Sequence, residues 1–409
     1  MVSTVDKRLL DTQNGRRILT SKNSFLIRNT LAGVTTSLAM VPEVVAFALL
    51  AHVNPLVGLY AAFILGLVTS VFGGRPGLIS GGAGSLAVVS VALVITNGVE
   101  YLFACIILMG VIQLAFGYFR LGKFIKLVSP TIMTGFVNGL ALLIFLAQFR
   151  QLQPNGMWLQ GQQLYNTIGL IALTIGAMIV TPKITKKIPA SLFGIIVATA
   201  ATFIFNLNVQ YVKDIASIAG EFPSFHIPTV PFTLETLTII APYSFILAAI
   251  GLIETLLTAN LVDDFVHSNH KTRPNKESMA QGAGNVLTGF FGGMGGCAMI
   301  GQTVINLEAG GFQRLAGVVQ SLCILAYILF ASVIIENIPI AALVGVMFIV
   351  CYHTFNWKSL TVNQPKENIM LILTVTILTV ILNLAYAVLI GIALTSLIHY
   401  WQHINTKEI

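Results

Sequence analysis

Apolar runs of helical length, separated by short polar loops, occupy almost the whole chain, and they limit its possible folds more than any other feature. They cover residues 29–51, 57–72, 79–96, 101–119, 130–149, 164–181, 188–206, 237–260, 279–293, 298–310, 315–335, 339–355, 368–384 and 386–402. In lipid every backbone N–H and C=O must find its partner inside the protein, so runs of this kind fold as a helical bundle. Only 9% of the residues are charged while 56% are hydrophobic; a soluble domain carries about 25% charge. There is too little polar side chain here to cover a water-facing surface. The sequence therefore predicts an all-α polytopic membrane protein of fourteen transmembrane segments. Several runs fall short of the ~20 residues of a straight crossing, so some segments are expected to be partial helices.

The basic residues set an orientation. With the N-terminus in the cytoplasm and the loops alternating sides, twenty of the twenty-two Lys and Arg fall inside, leaving Arg150 and Lys213 outside. That asymmetry is the positive-inside pattern, and miscounting one segment would scatter it. The formal net charge of +7 then needs no nucleic-acid partner. Residues 1–28 read as a cytoplasmic N-terminal segment without a cleavable signal, 29–402 as the transmembrane domain, and 403–409 as a cytoplasmic tail. The protein is expected in the cell membrane, multi-pass, with both termini cytoplasmic.

One long external connection, Asn206 to Glu235, separates two sets of seven segments. An odd number per set makes the halves inverted relative to each other, as in many alternating-access transporters. The halves share a local feature. A glycine-rich run from Gly73 to Ser85 opens the third segment, and another from Gly292 to Thr303 opens the tenth. Glycine costs close to ~1 kcal/mol against alanine in a helix, and irregular backbone at membrane depth survives only beside protein or a water-filled cavity. Segments 3 and 10 are thus expected to be half-helices starting near Ser85 and near Thr303. Their free N–H groups and positive dipole ends, facing each other, would hold an anion without a formal cation. The alternative is that these glycines serve only close helix packing.

Acids inside the runs are few, and intramembrane carboxylates are functional suspects. Glu43 follows Pro42 in the first segment, with Phe47 one turn on. Glu254 and Thr258, spaced i and i+4, share one face of the eighth segment and suit Na⁺ or H⁺; Glu308 lies near the inner end of the tenth. Gln281 and Asn285 read as interhelical glue. Asp263, Asp264, His267 and His270 read as a solvated inner loop. Cys105, Cys297, Cys323 and Cys351 read as small buried hydrophobes, with no metal or redox spacing. No nucleophile–base pair, zinc motif or nucleotide loop appears, so an enzyme is not expected.

Several of these stretches resemble the SulP family of sulfate-permease-like anion transporters. The resemblance rests on Asn29 to Thr35, on Val41-Pro42-Glu43-Val44-Val45-Ala46-Phe47 and on Asn54 to Tyr60. It continues through Ile253 to Ala259, Gln281 to Asn285, Gly301 to Asn306 and Arg314 to Gly317. The resemblance implies a seven-plus-seven inverted repeat with a core of 29–119 and 237–335 and a gate of 130–206 and 339–402. It places a small inorganic anion at Glu43, Phe47, Ala83, Gly84, Ser85, Gly301, Gln302 and Thr303, and a coupling cation at Glu254 and Thr258. Many animal members have an arginine where this chain has Gln302, whereas members resembling the bicarbonate transporter lack it and use Na⁺. Most members carry a STAS domain after the last helix, whereas this sequence stops at Ile409; the protein is expected either to lack that domain or to have had it trimmed away.

The function implied is secondary active transport, foremost Na⁺-coupled bicarbonate symport by an elevator-like mechanism. Sulfate or dicarboxylate transport with H⁺, an anion channel or exchanger, and a nucleobase carrier stand as alternatives. No cofactor is expected beyond the coupling ion. A homodimer in a bacterial inner membrane is the expected setting.

Overall fold

The computed structural model describes residues 22–122, 130–153, 157–184, 189–214, 222–266, 271–360 and 366–381. The predicted fourteenth segment, the tail at 403–409, most of the N-terminal segment, His267 and His270 lie outside the described residues. The described chain is predominantly α-helical. Before the long connection come α1 (Lys22–Leu50), α2 (Pro55–Phe72), α3 (Gly84–Asn97), α4 (Val99–Tyr118), α5 (Pro130–Arg150), α6 (Gly161–Ile184) and α7 (Ala190–Ile204). After it come α8 (Leu234–Val266), α9 (Pro274–Phe290), α10 (Ile300–Glu308), α11 (Arg314–Phe330), α12 (Ser332–Glu336), α13 (Ile340–Thr354) and α14 (Lys366–Ile381). Two-residue strands β1 (Ser80–Gly81) and β2 (Cys297–Ala298) precede α3 and α10.

Among the described residues, six helices are long and apolar enough to cross a membrane, including α1, α2, α4 and α8. Helix boundaries follow local chemistry. Asn54 caps α2 by accepting from the Leu56 N–H at 2.9 Å, with Pro55 at the first helical position, where a missing N–H costs nothing. Pro274 likewise starts α9, five residues before the apolar run begins, because the first turn of this helix is polar.

Two groups of helices pack mainly among themselves. In the first, α9 lies along α4 and α2, α11 along α1 and α2, and α8 along α4, α3 and α10. A Cβ on Gly110 of α4 would sit 2.6 Å from the Gly282 carbonyl of α9, and one on Gly282 would sit 2.7 Å from the Gly110 carbonyl. Small residues thus let these two backbones touch, which is how helices associate where lipid removes the hydrophobic drive. In the second group α14 lies along α5, and α13 along α5, α6 and α7. The groups meet where α1 contacts α13 and α7 and where α3 contacts α5. Helix α1 is central: its apolar window is 78% buried, against 33% for α6, whose remaining surface suits lipid.

The connection after α7 touches both groups. Its Val212 N–H donates to the Ile338 carbonyl at 3.0 Å beside α13, while the His226 N–H donates to the Phe290 carbonyl at 2.7 Å at the end of α9. Between α1, α3 and α5 lies a cavity of about 700 Å³, lined by Leu50, Val53, Val88 and Val91 on one side and Leu143 and Ala147 on the other.

Candidate functional site

The two glycine-rich runs cross. Strands β1 and β2 pair antiparallel, Ser80 opposite Ala298 and Gly81 opposite Cys297. The approach is so close that a Cβ on Gly296 would sit 2.0 Å from the Gly81 carbonyl. Gly295 has φ +71°, in the left-handed region that favours glycine. The glycines therefore do serve close packing, and the packing they serve is the crossing itself. Asn285 of α9 ties it down: its Nδ2 donates to Gln113 at 2.8 Å and to the Gly296 carbonyl at 3.1 Å, and its Oδ1 accepts from the Gly296 N–H at 2.9 Å. Gln281 donates to the Ser80 hydroxyl at 2.8 Å.

From this crossing α3 and α10 each set out. With 14 and 9 residues they run roughly 21 and 14 Å at 1.5 Å per residue, less than the ~30 Å of a hydrocarbon core. The residue before each, Ala83 and Met299, is extended and offers no side-chain cap. The positive end of each helix dipole therefore lies beside the crossing without a side-chain acceptor, the local condition for attracting an anion.

Two acids approach these ends crosswise. Glu43 of α1 accepts a hydrogen bond from the Gln302 amide in the first turn of α10. Glu254 of α8 accepts from the Ser85 hydroxyl in the first turn of α3 at 2.8 Å. Phe47 packs on α3: a Cβ on Gly84 would meet its ring at 2.6 Å. Ala83, Ser85, Gln302 and Thr303 are all buried, whereas Gly301 faces open space, where an added methyl would find nothing within 4 Å. Most residues singled out from sequence thus lie around the crossing. Two have their hydroxyls engaged elsewhere. The Thr303 hydroxyl accepts from the Ile79 N–H at 3.1 Å, holding the approach to β1. The Thr258 hydroxyl donates to the Glu254 backbone carbonyl at 2.7 Å, not to its carboxylate.

Sequence reasoning missed other members. Cys297, read as a small buried hydrophobe, donates its thiol to Glu254 Oε2 at 2.9 Å. Thr255 accepts from the Ala298 N–H at 3.1 Å, so β2 is stapled to α8. Asp263, read as a solvated loop acid, pairs with the buried Arg75 at 2.9 Å. Glu277 accepts from the Gly74 and Arg75 N–H groups at 2.6 and 3.1 Å, and Arg314 donates to the carbonyls of Ser70, Val71 and Gly73. Together they clamp the start of the first glycine-rich run. The sequence held one clue, the i, i+4 spacing of Glu277 and Gln281, which marks a shared helix face but not its partner.

The chain is similar to known transporters over nearly this whole architecture. YbaR of Bacillus subtilis, named for sulfate transport, is 42% identical over 372 residues, covering 90% of this chain and 76% of that protein. The bicarbonate transporter BicA of Picosynechococcus is 28% identical over 88% of this chain and 68% of its own length. Among solved structures, the transmembrane domain of a cyanobacterial bicarbonate transporter BicA superposes with a TM-score of 0.78 at 26% identity, covering 89% of this chain and 97% of that one. SLC26A9 has the same fold, with a TM-score of 0.78 at 18% identity over 97% of this chain and 68% of that one. YbaR and BicA are both named as transporters. The family model described as the sulfate permease family matches residues 26–364, and the chain is a multi-pass membrane protein belonging to that family.

Proposed function

We propose that the protein is a secondary active transporter of a small inorganic anion, bound between the first turns of α3 and α10 against Phe47 and drawn across the membrane by a cation at Glu254. One observation carries the reading: Ser85 is shared. Its backbone belongs to the positive end of α3, and its hydroxyl donates to Glu254 at 2.8 Å. A cation at that carboxylate adds positive charge beside the anion, so each ion favours the other, a reciprocal coupling typically worth ~1–3 kcal/mol.

Bicarbonate with Na⁺ is the leading pair. BicA, the bicarbonate transporter, is similar in sequence and fold, and Gln302 brings no fixed charge to the anion end, leaving that role to a cation. Sulfate is the second substrate reading, supported by the similarity to YbaR. The Glu43–Gln302 contact favours a second coupling reading, in which a proton on Glu43 accompanies the anion and removes the repulsion. The crosswise pattern, α1 to α10 and α8 to α3, is what an inverted repeat of seven plus seven segments produces. Alternating access then consists of the group α1–α4 with α8–α11 sliding against α5–α7 with α13 and α14.

The test is uptake of labelled bicarbonate and sulfate into proteoliposomes with imposed Na⁺ or H⁺ gradients. Parent protein is expected to accumulate anion under one of these gradients. Glu254→Gln keeps the shape and removes the charge, and is expected to lower anion affinity about 5- to 150-fold and to abolish gradient-driven accumulation. Parental behaviour of this variant under both gradients rules out Glu254 as the coupling site.

A further inference from the structure

We infer that Cys297 is a positioning residue that holds the Glu254 carboxylate in the orientation needed by the coupling cation. The inference rests on the reading of Glu254 given above. Cys297 is fully buried in β2, one residue from the Ala298 N–H that Thr255 of α8 fixes at 3.1 Å. Its sulfur position is therefore set by the crossing and not by a flexible loop. From there the thiol donates to Glu254 Oε2 at 2.9 Å, and the Ser85 hydroxyl donates to the same oxygen at 2.8 Å.

Two donors on one carboxylate oxygen have a geometric consequence. They fix the rotation of the carboxyl group and turn its other oxygen, Oε1, away from both donors. A free glutamate side chain has several rotamers to lose on binding a cation; here that cost is met in folding, so the ion meets a preorganised ligand. The choice of a thiol also matters. Sulfur is a soft ligand that a hard cation such as Na⁺ does not seek, so Cys297 orients the carboxylate without competing for the ion. A hydroxyl at the same place supplies a donor and, in addition, a hard oxygen.

The experiment compares Cys297→Ala, Cys297→Ser and Glu254→Gln with the parent in proteoliposomes, measuring sulfate and bicarbonate uptake against Na⁺ and H⁺ concentration. Thermal unfolding in detergent serves as the folding control. Cys297→Ala is expected to raise the half-saturating cation concentration roughly three- to tenfold, the worth of one modest hydrogen bond, with the anion KM at saturating cation little moved. Cys297→Ser is expected to restore the parental value or lower it. A second readout needs no cysteine variant to transport: the infrared S–H stretch of Cys297, assigned by its loss in Cys297→Ser, is expected to shift in Glu254→Gln and on adding the coupling cation.

If Glu254→Gln loses cation dependence while Cys297→Ala keeps the parental cation curve, the inference is overturned and the reading of Glu254 stands. If Glu254→Gln transports as the parent does, the reading falls and the inference with it. Should Cys297→Ala fail to fold, an S–H band unmoved by Glu254→Gln overturns the inference on its own.

Discussion

Gln302 sits where many animal members of the family carry arginine, and the expected effect of restoring that charge depends on its neighbour. Its amide donates to Glu43. In Gln302→Arg the guanidinium meets a carboxylate it can grip with two parallel hydrogen bonds, so the added charge is neutralised locally. The single variant is therefore expected to keep its cation requirement. Glu43→Gln combined with Gln302→Arg leaves the guanidinium unpaired at the anion end, and this double variant is expected to transport with a weakened dependence on Na⁺ or H⁺. The measurement is uptake against cation concentration for both variants; a single variant already independent of cation would show that Glu43 does not neutralise this position. Gly301 supplies a contrast. A methyl there meets nothing, so Gly301→Ala is expected to leave thermal stability unchanged or raise it by up to about 1 kcal/mol, the helix preference of alanine over glycine, and any change in anion KM then reports on the binding space.

At the scale of elements, the crossing of β1 and β2 is what allows α3 and α10 to begin near each other. Two breaks in different parts of the chain could each persist alone, but the antiparallel pairing of Ser80 with Ala298 and Gly81 with Cys297 satisfies backbone groups that lipid would leave bare. Gly296→Ala is the direct test. Its methyl would lie 2.0 Å from the Gly81 carbonyl, a backbone atom without room to yield. The expected cost is at least the ~1–3 kcal/mol of overpacking, read as a lower unfolding temperature and reduced yield of folded protein in detergent. Unchanged stability would mean that the two runs do not touch at this point. Asn285, which both donates to and accepts from Gly296, is the companion position, since removing it leaves a buried N–H and C=O unpaired.

For the molecule as a whole, the cavity of about 700 Å³ between α1, α3 and α5 lies on the seam between the two helix groups, beginning within about a turn of Phe47 and Ser85 along their helices. If the groups slide past each other in transport, a bulky residue in that space blocks the motion without touching the anion end. Ala147→Trp is expected to remove most of the uptake rate while thermal stabilisation by added sulfate or bicarbonate persists. Retained uptake would place the moving seam elsewhere. Val212, bonded to Ile338 just before α13, and His226, bonded to Phe290 at the end of α9, tie the described parts of the connection to both groups.

Much of this was legible in the chain because the bilayer imposes a simple rule. Apolar length and glycine-rich interruptions each follow from satisfying the backbone in a solvent that cannot, so the helices before the connection and the neighbourhoods in which α3 and α10 begin could be read locally. The pairing of side chains could not. Whether Glu43 meets Gln302 or Glu254 meets Ser85 depends on residues 259 and 169 positions apart, and no spacing in the sequence encodes such distances. The same holds for Cys297. Its burial is what an apolar run predicts, but only the crossing of two strands places its thiol on a carboxylate from α8, turning an ordinary small residue into part of the site. Helix formation and membrane insertion are governed by nearest neighbours along the chain, whereas a binding site is governed by which neighbours the packing supplies.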